Sequence, residues 1–176
     1  ADEQEPILLA VLRSDAAAAE KALACKNLSI YGSERAVPEL AKLLPDPQLS
    51  SWARIALEAI PGEAANAALR DAADRLAGRL QVGMINSIGV RRDPQAVDSL
   101  TEKLQDGDVQ VASAAAVALG HIGNAASTDA LRAALATTSG AVRSAVAEGC
   151  VLCAERLLDS KGGRVAATEI YDQVRM

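Results

Sequence analysis

One recurring column of residues limits what this chain can fold into. Leu28, Leu57, Ile85, Leu119 and Cys150 each stand three residues before Tyr31, Ile60, Ile88, Ile122 and Cys153. Four of these pairs are followed within two residues by Gly32, Gly62, Gly89 and Gly123. A dipeptide then recurs after each glycine: Ala36-Val37, Ala68-Leu69, Ala96-Val97 and Ala130-Leu131. Successive members of the leucine column lie 29, 28, 34 and 31 residues apart. A period of about 30 residues marks a stack of two-element units, each unable to bury its apolar face alone, and not one closed globule.

The elements read as helices. After each recurring dipeptide the apolar residues follow a 3.6-residue period: Val37, Leu40, Ala41 and Leu44; Leu69, Ala72, Ala73 and Leu76; Val97, Leu100 and Leu104; Leu131, Ala134 and Leu135. No segment shows sustained period-2 alternation with β-branched enrichment. Half of the 176 residues are hydrophobic but only 2% are aromatic, with no Phe. Small apolar residues suit helices packed at close range, and Ala is the best helix former. The expected fold class is all-α, an α-α superhelix (solenoid) of about five two-helix repeats with a half-repeat at the N-terminus.

The expected boundaries define a single domain over residues 1–176. It holds a half-repeat at 6–13 and repeats at about 14–44, 47–76, 77–104, 107–135 and 139–174, as part of a longer chain. Within them helices are expected near 15–30 and 34–44, 48–60 and 64–76, 79–88 and 94–105, 109–121 and 126–136, and 140–158 and 163–174. Pro47 and Pro94 fit helix starts, where a missing N–H costs nothing. Gly32, Gly62, Gly89 and Gly123 are expected to end first helices in a positive-φ conformation. Asp108 and Ser127 are expected to cap the two helices of the fourth repeat. Gly78 and Gly83 weaken the first helix of the third repeat by about 1 kcal/mol each relative to Ala, so that helix is expected to be loose or kinked.

Val111 to Gly123, with Ala130-Leu131 and Leu135 after it, resembles the short HEAT repeat. Leu28 to Leu44 and Ile85 to Leu104 follow the same pattern more loosely, and the resemblance spans residues 14 to about 158. The family often carries an Arg early in the first helix. Here that column reads Lys21, Ser50, Gly78, Ala112 and Arg143. Residues 154–176 fit less well and are somewhat similar to a tetratricopeptide-type helix pair. The resemblance implies an α-α superhelix whose second helices line a concave face, and protein–protein binding as its use.

Candidate chemistry is sparse. Lys and Arg number 18 against 23 Asp and Glu, a net charge of −5, which disfavours binding to a phosphate backbone or an anionic membrane. No stretch approaches 18 consecutive apolar residues. Cys150-Val151-Leu152-Cys153 has the spacing of a redox or metal motif, but both cysteines fall in the core columns. Buried Cys behaves as a small hydrophobe, and the chain holds one further Cys and one His. His121 occupies a column of mixed polarity with no nucleophile or carboxylate suggested beside it. Trp52 shares a column with Leu23, Leu80, Ala114 and Ala145 and is expected to pack on a neighbouring helix.

The charged columns carry more information. Arg70, Asp98 and Arg132 recur one position after the Val/Leu column and alternate in sign, which suggests an ion ladder between repeats. Lys42, Asp74 and Glu102 recur five positions after it. The expected function is that of a non-catalytic scaffold, with no metal, no cofactor and no nucleic acid. It would bind a protein partner on the concave face through Arg70, Asp71, Asp74, Asp98, Glu102 and Arg132, and exist as a monomer or as a fragment of a larger protein. Two other classes follow from the resemblance alone. Some short HEAT-like proteins attach bilin chromophores, and HEAT-like DNA glycosylases bind nucleic acid on a basic face that this acidic chain lacks.

Overall fold

The computed structural model describes residues 3–159 and 162–175. Among them the chain forms helices and no strand: α1 (Gln4–Arg13), α2 (Ala18–Tyr31), α3 (Val37–Leu43), α4 (Ser50–Ala59), α5 (Glu63–Arg75), α6 (Gly78–Arg91), α7 (Val97–Lys103), α8 (Val109–Ile122), α9 (Ala125–Leu135), α10 (Gly140–Leu158) and α11 (Arg164–Arg175). Short 3-10 turns, Glu34–Ala36 and Pro94–Ala96, lead into α3 and α7. The chain divides into two compact units, Ala1–Ser87 and Ile88–Met176, with the division inside α6.

In the first unit α2 packs on α1 and α4, and α3 packs on α1, α4 and α5. In the second, α8 packs on α7, α9 and α10, while α11 closes on α9 and α10. The leucine column forms the seam within each unit. Leu28, Leu57, Ile85 and Leu119 are completely buried, and Cys150 nearly so. Its companions Ile60, Ile88, Ile122 and Cys153 are buried too, but Tyr31 is 40% exposed and leaves the core at the first repeat. Burying a Leu or Ile side chain contributes about 1.5–3 kcal/mol, so each such member of the column stabilises its unit on that scale.

The recurring Ala-Val/Leu dipeptide sits in two local structures. In the first and third repeats it follows a 3-10 turn, so Ala36 and Val37, and Ala96 and Val97, are all buried. In the second and fourth repeats the second helix starts directly. There Ala65 with Leu69, and Ser127 with Leu131, share the buried face four residues apart, while Ala68 and Ala130 are only half-buried.

Helix ends depart from expectation in several places. Gly62 (φ +101°) and Gly123 (φ +60°) adopt the expected positive φ, but Gly32 (φ −76°) is extended and Gly89 lies within α6. Gly89 serves close packing instead: a Cβ there would lie 2.9 Å from Ala118 Cα on α8. Arg92, at φ +55°, takes the left-handed position after α6. Asp108 caps α8 by accepting from the Gln110 amide at 2.8 Å, as expected. Ser127 does not cap α9. Asn124 does, accepting from the Ser127 amide and hydroxyl at 2.8 and 2.9 Å. Asn124 is the better-placed acceptor because it precedes the first turn with an extended backbone. Pro94 opens its turn as expected, whereas Pro47 lies in the turn before α4. There Asp46 Oδ1 accepts from the Gln48 amide at 2.8 Å.

The half-repeat is bound into the first unit by a buried carboxylate. Glu5 on α1 is 4% exposed and accepts from the Ser33 amide at 2.6 Å and the Ser33 hydroxyl at 2.8 Å. Hydrogen bonding of this kind offsets the desolvation of the charge.

Candidate interaction surfaces

The second helices carry the charged columns. In the first unit Asp71 and Asp74 are exposed on α5. Arg70 lies lower on the same helix, its side chain 21% exposed, and pairs with Glu63 two turns earlier. In the second unit Asp98 and Glu102 are exposed on α7, and Arg132 on α9 is half-buried with its Nε donating to Gln173 Oε1 of α11 at 2.8 Å. The residues expected to meet a partner therefore divide into exposed carboxylates and arginines already engaged within their units.

Each unit also opens a cleft beside its second helices, and the residues lining these clefts are largely other than those chosen from sequence. In the first unit a cleft of about 340 Å³ lies between α3 and α5. Its floor is apolar, with Pro38, Ala41 and Leu44, and Lys42 and Arg75 line it too. In the second a cleft of about 380 Å³ brings Arg132 together with Arg143 of α10 and Gln173 of α11. Arg143 Nη1 also donates to the Leu135 carbonyl at the end of α9. Gln81 of α6 makes the same kind of bond to Ala73 of α5 at 2.9 Å, with the same separation of eight residues. A donor on the incoming first helix thus satisfies a carbonyl near the end of the preceding second helix. The leucine alignment places Arg143 opposite Gly78, which hides this equivalence.

Cys150 and Cys153 lie where the columns place them, and Cys25, which no column covered, is buried as well. Cys25, Cys150 and Cys153 are buried and unbonded to one another. Burial pushes the Cys25 and Cys150 thiols up from 9.0 to about 11. Burial also raises the Cys153 thiol, against opposing effects from the Thr128 side chain and the Arg156 charge. Such thiols hold little of the thiolate that nucleophilic or metal chemistry requires. Among the described residues no group of three or more His, Cys, Asp or Glu side chains is placed to hold a metal ion. His121 is half-buried in the last turn of α8. Trp52 does not pack away as expected. It lies on the surface of α4, 38% exposed, near Ile55 at 46%, because that side of α4 faces solvent.

The glycines of α6 do not break it. The helix runs from Gly78, at φ +55°, to Arg91. At Gly83 a Cβ would lie 2.9 Å from Arg54 Nε, so the glycine makes room for the guanidinium. Arg54 Nη1 donates to the Gly83 carbonyl at 3.0 Å and to Ser87 Oγ at 2.9 Å. Ser87, fully buried, donates to Glu58 Oε1 at 2.6 Å. Burial pulls the Arg54 pKa down and Glu58 opposes that effect. A glycine that reads as a weakness in sequence is the seat of a polar network joining α4 and α6.

These helix pairs define an all-α solenoid. The family model for HEAT repeats matches residues 77–150, within the stretch that carries the repeat pattern. Twenty-three chains among solved structures match. One is the crystal structure of an engineered protein, at TM-score 0.53 and 18% identity, covering 98% of this chain and 96% of that one. That likeness concerns fold alone. No curated protein matches the sequence.

Proposed function

We propose that the chain is a non-catalytic scaffold whose second-helix face binds a segment of another protein. The observation that carries this reading is exposed charge on the second helices of each unit, adjoined in the first unit by a cleft with an apolar floor. In the first unit Asp71 and Asp74 rise from α5, beside an apolar cleft flanked by Lys42 and Arg75. In the second, Asp98 and Glu102 rise from α7, and Arg132 and Arg143 line the cleft at α9 and α10. Such surfaces suit an extended segment of mixed charge whose apolar side chains enter the clefts. HEAT repeats typically mediate protein–protein interaction, and the match over residues 77–150 supports the reading. Arg70, half-buried against Glu63, positions the α5 face more than it meets a partner.

The test compares capture from a cell extract by the unaltered chain and by an Asp74→Lys/Glu102→Lys variant, quantified by mass spectrometry. Both residues are exposed, so folding is retained. Loss of at least one saturable, stoichiometric partner is expected. An unchanged set of partners removes the second-helix face from the function.

A further inference from the structure

The first unit holds a cleft of different chemistry, away from the second helices and independent of the partner-binding reading. It lies where α4 and α6 begin, has a volume of about 340 Å³, and is lined by Ser50, Ser51, Arg54, Arg79, Leu80 and Gly83 among others. Four observations converge on it. Ser50, the first residue of α4, is 4% exposed, and its Oγ is fully enclosed without a hydrogen-bond partner. A buried hydroxyl in that condition is costly unless something supplies the missing bond. Arg54, one turn along from Ser50, is held through Nη1, which leaves the rest of its donor fork for a ligand. Arg79, exposed in the first turn of α6, adds a second guanidinium. Gly83 keeps Arg54 in place, since any side chain there would displace its guanidinium.

We propose that this cleft binds a phosphate dianion: the Ser51 hydroxyl and the guanidiniums of Arg54 and Arg79 donate to separate oxygens, and the enclosed Ser50 hydroxyl turns toward the cleft to join them. Two forked cations and two hydroxyls match a tetrahedral group with two negative charges better than a planar carboxylate with one. The whole chain is acidic, so the attraction is local to this cleft. The phosphate is either the free ion or a monoester carried on another molecule, and both present the same oxygens.

The test is an amide NMR titration of the full chain with inorganic phosphate and, separately, phenyl phosphate, at constant ionic strength with sodium acetate as the control. Saturable shifts confined to residues 50–54 and 78–83 are expected, with a Kd on the order of 1–10 mM. Arg79→Gln, altering an exposed side chain, is expected to weaken binding at least about tenfold with unchanged thermal unfolding, and Ser50→Ala to weaken it about threefold while raising the unfolding temperature of the free chain. Phenyl phosphate binding about tenfold tighter than phosphate assigns the site to an esterified group, and equal binding assigns it to the free ion. Shifts that do not saturate, acetate shifts of equal size, or binding unchanged in both variants would overturn the proposal.

Discussion

A thiol's reactivity follows from where the repeat places it. Cys25, Cys150 and Cys153 stand in buried positions, and the two that reach about 11 are nearly uncharged at neutral pH. All three are expected to resist alkylation at pH 8 in the folded protein and to react rapidly in denaturant; fast modification before unfolding would contradict the core assignment. The linkage has a definite sign. A folded thiol pKa above the unfolded value of 9.0 means that the unfolded chain loses its proton first as pH rises. Stability is therefore expected to be full below pH 9 and to decline up to about 11, where the folded thiols ionise. Cys25→Ala should flatten part of that decline in chemical denaturation at stepped pH. The burial of Cys150 and Cys153 was legible because a period of about 30 residues aligns Cys150 with Leu28 and Leu57, and Cys153 with Ile60. Tyr31 and Trp52 were not legible, because a column reports the average repeat. Whether one member is covered depends on the particular helix beside it.

Helices and their contacts lie one level up, and there glycine changes meaning with context. A Cβ on Gly120 of α8 would lie 2.6 Å from Gly149 Cα and 2.9 Å from Gly149 O on α10. Helix propensity alone favours Ala at position 120 by about 1 kcal/mol. The backbone-to-backbone approach opposes it, since overpacking costs about 1–3 kcal/mol. Gly120→Ala is expected to lower the unfolding temperature, whereas Gly107→Ala, with nothing within 4 Å of the new Cβ, is expected to leave it nearly unchanged. Stabilisation by Gly120→Ala would mean that α8 and α10 do not approach so closely. Helix positions were readable from periodicity and breakers to within a few residues, because α3, α5, α7 and α9 each bury one apolar stripe. Contacts such as Gly83 with Arg54 were not. They depend on residues 29 apart meeting at one place, and the sequence shows only that position 83 lacks a side chain.

At the scale of the whole molecule, repetition fixes a solenoid and leaves its use to the surface. The carboxylates of the mixed-charge surface expected from sequence, Asp71, Asp74, Asp98 and Glu102, are exposed. The meeting of Lys42 with Arg75, and of Arg132 with Arg143 and Gln173, at the clefts was harder to see. Each set comes from neighbouring elements, and its members stand in different columns. The central claim is that binding runs along the second helices. Its most direct test is hydroxyl-radical footprinting of the chain alone and bound to a partner retained at stoichiometric amounts. The account predicts protection concentrated on α3 and α5 in the first unit and on α7 and α9 in the second, with Trp52 and Ile55 on α4 still reactive. Protection concentrated on α2 and α4, with α5 and α7 as reactive as in the free chain, would contradict it.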